Sequence, residues 1–169
     1  MVSRRAPLVA LALLPALGAA ANPTWCLSMG GLGPIRAGMP VEEVLALADF
    51  PGMEGKTKPQ ECWYLRYQGG PADFQLMIVD GIVVRIELRG ASKLHTFSGA
   101  HVGTSEDELK KLYGARLDIQ PAKYDEHGHT ITLKSGSGEY GLRFETSQGK
   151  VTAIQSGPWE HLNYVEGCG

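Results

Sequence analysis

From residue 60 onward, apolar and polar residues alternate in short runs divided by glycine-bearing turns, the pattern of half-buried strands. Phe74, Leu76 and Ile78 alternate with Gln75 and Met77, as Leu142 and Phe144 alternate with Arg143 and Glu145. Each such strand offers one face to a core and the other to solvent. Two stretches repeat instead at helical spacing. Val41, Val44, Leu45 and Ala48 follow Gly38-Met39-Pro40, where Pro40 suits an opening helical position. Leu109, Leu112 and Tyr113 follow Ser105-x-x-Glu108, which has the form of a capping box. Glu42, Glu43, Glu106 and Asp107 sit at the two helix starts, where carboxylates complement the helix dipole, and that structural job accounts for them.

The helices and the strands behind them are copies of one pattern. A shift of 65 residues lays Gly38–Leu47 on Gly103–Leu112, and a shift of 68 pairs three strand candidates. These are Cys62–Tyr67 with Thr130–Ser135, Phe74–Val79 with Leu142–Thr146, and Ile82–Arg89 with Lys150–Ser156. Asp80-Gly81 and Gln148-Gly149 separate the last two strands of each copy, the Asp-Gly pair being a strong tight-hairpin signal. The expected fold is α+β: two tandem repeats, each a helix plus a three-stranded antiparallel sheet, forming one unit. The first repeat with an N-terminal extension takes residues 22–98, and the second with a C-terminal tail takes 99–169. Each half is too small to be comfortably stable alone, so the chain reads as one monomeric or weakly associated protein.

The beginning of the chain has a different character. Arg4-Arg5, an apolar run from Leu8 to Leu17 and the small residues Ala19-Ala20-Ala21 make residues 1–21 a secretory signal peptide, cleaved before Asn22. The run is too short to span a bilayer, so the product is expected in a bacterial periplasm or outside the cell, with no membrane span. Export exposes Cys26, Cys62 and Cys168 to oxidation, and three is an odd number. Cys62–Cys168 is the preferred bridge, because it clips the chain end onto the first half and leaves Cys26 free; Cys26–Cys62 is the rival. No CxxC spacing suggests a zinc ribbon or a thioredoxin-like pair.

Composition narrows function mainly by exclusion. The 169 residues are 43% apolar and 20% charged, with 16 Lys+Arg against 18 Asp+Glu. A balanced charge without basic blocks removes the electrostatic basis for nucleic-acid binding. Twenty-two glycines and ten prolines, scattered rather than periodic, mean many turns. Ser137 lies in Ser135-Gly136-Ser137-Gly138 between two strands, a hairpin loop rather than a nucleophile elbow. Asp125-Glu126-His127-Gly128-His129 holds metal-ligand residue types, but Gly128 fits a solvated turn and no distant partner is apparent. A metal held by Asp125, His127 and His129 is the alternative reading. No cofactor is implied, and the chain reads as a non-enzyme.

Two tandem copies of a Gly-Met-x-x-x-x-Val helix followed by an antiparallel sheet resemble the β-lactamase inhibitor protein family. Each half is also similar to the small lipoprotein of the outer-membrane β-barrel assembly machine. The string Gly31–Met39, with Glu61–Leu65 and Tyr164–Cys168, resembles a group of uncharacterised exported bacterial proteins. The inhibitor resemblance implies that the exposed sheet surface grips a partner enzyme. If Trp63, Leu65, Phe74, Leu76, Ile131, Leu133, Leu142 and Phe144 face the core, the opposite face carries Tyr64, Arg66, Gln75, Met77, Arg85 and Glu87. Thr132, Lys134, Arg143 and Glu145 continue it in the second half. Tyr, Arg and Met are enriched in protein interfaces, so this face is the expected partner site of an inhibitor, immunity protein or envelope scaffold.

Overall fold

A computed structural model describes residues 25–47, 61–67, 73–164 and 167–168. Residues 1–21, expected to be a signal peptide, and Ala48 of the first helical stripe lie outside them. Among the described residues eleven strands, three short α-helices and one 3-10 turn (Gly114–Arg116) follow in chain order. Strands β1 (Cys26–Ser28), β2 (Gly31–Leu32) and β3 (Ile35–Arg36) precede helix α1 (Val41–Leu45). Then come β4 (Cys62–Tyr67), β5 (Phe74–Val79), β6 (Ile82–Arg89), β7 (His95–Thr96) and helix α2 (Glu106–Tyr113). Strands β8 (Leu117–Pro121), β9 (His129–Lys134), β10 (Tyr140–Ser147) and β11 (Lys150–Pro158) lead to helix α3 (Trp159–Leu162).

The tandem α+β arrangement expected from the sequence does not form. The fold is mostly β, with one antiparallel seven-stranded sheet in the order β4-β5-β6-β11-β10-β9-β8 and a four-stranded sheet in the order β3-β2-β1-β7. Two separate three-stranded sheets would each leave a long apolar edge strand, β6 or β11, with unpaired backbone groups. Here those strands pair with each other, Gln155 opposite Glu87 and Ser156 opposite Ile86, and two edges disappear. Two further departures come from weak local signals. Leu117–Pro121 is short and ends in proline, yet pairs along β9 from Leu117↔Leu133 to Pro121↔His129. The glycine-rich segment after Cys26 forms β1–β3 as well as turns.

Individual joints follow sequence chemistry closely. Asp80-Gly81 and Gln148-Gly149 each have positive φ at both residues, the hairpin conformation that Gly makes inexpensive. Gly38 and Gly103, at φ 91° and 96°, turn the chain into α1 and α2, and each amide donates to the hairpin behind it, to the Val83 and Val151 carbonyls. The Ser105–Glu108 capping box is present on α2. One sheet face packs Leu76, Ile86, Leu88, Ile131 and Phe144 against Val44, Leu109 and Tyr113 of the helices and Leu27, Leu32 and Ile35 of the small sheet, all buried. Among the described residues no helix is long and apolar enough to cross a membrane.

The other face is covered at its centre by the C-terminal strap. Gly141 and Gly157 are opposite one another on β10 and β11. A Cβ on Gly141 would come within 2.8 Å of both the Leu133 carbonyl and the Trp159 ring, so the missing side chain is what lets α3 approach the sheet. Leu162 is buried beneath α3, and the disulfide Cys62–Cys168 fixes the far end of the strap to edge strand β4, leaving Cys26 as the free, buried thiol. Gly141→Ala is therefore expected to destabilise the protein by about 1–3 kcal/mol through overpacking. The measurement is the urea midpoint; Gly136→Ala, with open space at that position, should stay within about 1 kcal/mol of the parent.

Candidate functional site

Strand register places one polar residue per strand in a row across the whole large sheet: Arg66, Gln75, Glu87, Gln155, Arg143, Thr132 and Asp118. A neighbouring row contains Tyr64, Met77 and Arg85, and another Arg89, Ala153, Glu145 and Thr130. This is the face expected to meet a partner, and its centre is not exposed. Arg85 is 2% accessible, Glu87 0%, Met77 4% and Arg143 6%. Those four cannot touch a partner while the strap is docked. Gln75, Thr132, Tyr64 and Glu145 are half-buried, and Arg66 and Lys134 are exposed. The correction has a simple cause: the parity of the face was right, but the sequence reading laid nothing over it.

Buried charges need partners, and the strap supplies some of them. Arg85 Nε donates to Glu87 Oε1 at 2.7 Å, while its terminal nitrogens donate to the carbonyls of His161 at 3.3 Å and Tyr164 at 3.1 Å and to the Tyr64 hydroxyl at 3.1 Å. Arg143 Nη1 donates to the Leu162 carbonyl at 3.0 Å. The last carbonyls of α3, which have no partner within the helix, thus accept from two guanidiniums of the sheet. Glu87 also accepts from Gln75 Nε2 at 2.6 Å and Arg89 Nε at 2.8 Å. Burial alone would raise the Glu87 pKa, but the charges of Arg85 and Arg89 and the hydrogen bonds from Arg89 and Gln75 hold it below its ordinary value.

The strap leaves two clefts on this face, with Arg89 lining both. One of about 220 Å³ is lined by Arg66, Asp73, Gln75, Glu87 and Arg89 among others. The other, of about 350 Å³, lies between Arg89, Arg143, Glu145, Thr130 and Thr152 and the loop carrying Lys123, Tyr124 and Asp125. Arg89 completes the alternation Arg85-x-Glu87-x-Arg89, a signal present in the sequence that extends the predicted face by one residue. The glycines Gly141 and Gly157 inside strands were a second unused signal, since a glycine there marks close approach of another chain segment.

The Asp125–His127–His129 segment does not converge. Asp125 Oδ1 accepts from the His127 amide at 2.9 Å, and His127 is exposed. His129 Nδ1 lies 2.8 Å from Glu106 Oε1, which also accepts from Thr146 Oγ1 at 2.6 Å. Burial works to raise the Glu106 pKa, but these hydrogen bonds dominate and lower it. No group of three His, Cys, Asp or Glu able to hold a metal occurs among the described residues. Cys26 Sγ is 3.6 Å from His95 Nδ1, but that nitrogen faces the Thr96 carbonyl at 3.0 Å, so its proton is engaged there and no lone pair points at the thiol.

No protein-family model matches the chain, and no curated protein matches it. Among solved structures, an extracellular protein containing an SCP domain from Bacillus anthracis aligns with 75% of this chain at 11% identity and a TM-score of 0.48. The alignment takes in 45% of that protein, so this chain spans under half its length. At that level of likeness neither fold nor function carries across.

Glu87 is expected to dominate the acid limb of stability. Its folded pKa lies below the ordinary 4.5, so its contribution is fully present above the unfolded value and is lost as pH falls through the folded one. Glu106 adds in the same direction. Glu87→Gln should lower stability near neutral pH by about 3–5 kcal/mol, because Arg85 is then left buried without its carboxylate. Melting temperature measured from pH 7 down to 2 checks this: the parent should lose more stability below pH 4.5 than the variant.

Proposed function

We propose that this chain is an exported, non-catalytic binding protein that recognises a protein partner through the part of its polar sheet face that the strap leaves uncovered. The observation that supports the reading is the composition and placement of that remaining surface. Arg66 and Lys134 stand exposed on β4 and β9 on either side of the covered centre, with Gln75, Thr132 and Glu145 half-buried between. Tyr164 on the strap and Tyr124 on the cleft loop are exposed by 54% and 72%, so both present aromatic rings to solvent beside this face. Tyrosine and arginine around a rigid sheet suit recognition, tyrosine because its large ring has few torsions to freeze and arginine because its planar fork makes several directed hydrogen bonds. The Cys62–Cys168 bridge suits a periplasmic or extracellular location, where such bonds persist.

Inhibition of an envelope or secreted enzyme, or immunity against one, is the form of this reading that the inhibitor-family resemblance implies. Tyr64 is a poor probe of it, because its hydroxyl accepts from Arg85 beneath the strap. The test is affinity capture from envelope extracts with the parent and with an Arg66→Ala, Lys134→Ala variant, both residues being exposed. A partner held by the parent and released at least tenfold more readily by the variant is the expected result. Equal retention by both proteins, or turnover of a cell-wall substrate by the purified parent, overturns the reading.

A further inference from the structure

The larger cleft is lined by an arginine whose hydrogen bonds are incomplete. Arg143 is 6% accessible, and its Nε, fully enclosed, has no hydrogen-bond partner among the described residues. A guanidinium nitrogen left in that state is costly, because it has lost water and gained nothing. Arg143 and Arg89 share one cleft carboxylate, Glu145, and neither holds it closely: Arg89 Nη1 is 3.5 Å and Arg143 Nη2 is 3.8 Å from its oxygens. Well-formed charge-assisted pairs are about 2.7–2.9 Å. Glu145 is further occupied by Gln155 Nε2 at 3.3 Å.

The acceptors of the cleft are otherwise committed. The Asp125 carboxylate takes the His127 amide, and the Thr152 hydroxyl donates to the Glu145 carbonyl at 3.1 Å. Glu87 behind the cleft wall is saturated by Arg85, Arg89 and Gln75. The cleft is lined by the carboxylates of Glu145 and Asp125 as well as by the guanidiniums of Arg89 and Arg143, and the donor left over among these is on Arg143, so an entering oxyanion supplies the acceptor that is missing. Burial lowers the Arg143 pKa, and repulsion from Arg85 and Arg89 adds to it against the attraction of Glu145, so added negative charge here relieves an existing strain. The fork of a guanidinium matches a carboxylate or phosphate edge to edge. A volume of about 350 Å³ is enough to admit a small molecule.

We infer that the cleft between Arg89, Arg143 and Thr152 is a binding site for a small oxyanion-bearing molecule, which seats its carboxylate or phosphate against the two guanidiniums. The inference goes beyond the protein-recognition reading, and a small-molecule titration can fail or succeed independently of partner capture. Citrate and inorganic phosphate serve as the two probes, added separately at constant ionic strength to isotope-labelled protein while amide resonances are followed. Saturable shifts centred on Arg89, Thr130, Arg143 and Thr152 are expected with at least one probe, and the tighter of the two identifies the chemistry of the natural ligand. Thr152→Glu places a carboxylate on an exposed cleft residue without removing either arginine, and should weaken binding at least tenfold. Arg89→Gln should do the same, while Lys110→Gln on the exposed side of α2 should not. Shifts that fail to saturate with both probes, shifts centred elsewhere, or full affinity in Thr152→Glu would overturn the assignment.

Discussion

The arrangement on the polar side of the sheet depends on keeping the guanidiniums of Arg85 and Arg143 paired where little water reaches, with the part-exposed Arg89 at the edge. Arg85, Arg143 and Arg89 stand on three neighbouring rows of one face around the carboxylates of Glu87 and Glu145. Arg85 and Glu87 are in contact and both are inaccessible, a geometry that is stable only while each keeps every partner. Two carboxylates cannot satisfy three forked cations. Part of the shortfall is met by the carbonyl oxygens of His161, Leu162 and Tyr164, at and just beyond the end of α3, which carry partial negative charge and no formal charge of their own, and the Nε of Arg143 is left over. The strap is thus an electrostatic component of the sheet as well as its cover.

From that constraint the surrounding sequence choices follow. Gly141 and Gly157 remove side chains where α3 must come close, and Trp159 lies over Gly141 with the Lys134 ammonium 4.8 Å above its ring. The disulfide joins residues 106 apart in sequence and anchors the strap beyond its last arginine contact. By the loop-entropy account such a crosslink is worth about 4–5 kcal/mol through the unfolded chain alone. Where the strap ends, the polar rows open into the two clefts, so recognition surface and buried charge belong to one network with Arg89 at its boundary.

Local chemistry was legible in the sequence, and assembly was not. Strands β4, β5 and β6 and both hairpins were readable because alternation and Asp-Gly or Gln-Gly turns are short-range signals. The capping box on α2 was readable for the same reason, whereas the sequence only favoured Cys62–Cys168 over its rival Cys26–Cys62, and the structure carries the favoured pair. The joining of β6 to β11 leaves no local mark in the sequence, because the paired residues are 64 to 70 apart and a repeated pattern suggests two sheets as readily as one. Arg85, Glu87 and Arg143 were placed on the correct face and misread as exposed, since alternation gives parity but cannot say what lies above it. The four-residue helix Trp159–Leu162 is too short to carry a periodic signal.

Hydrogen exchange at the Arg85 Nε–H, observed by NMR in oxidised protein near neutral pH, tests the covered charge layer most directly. That proton is bonded to Glu87 Oε1 under the strap. The account predicts protection comparable to the core amides of Ile86 and Ile154, because exposing it requires the strap to lift and two guanidiniums to lose their carbonyl partners. Exchange at the rate of a solvated arginine, with those core amides still protected, would show an open face and contradict it.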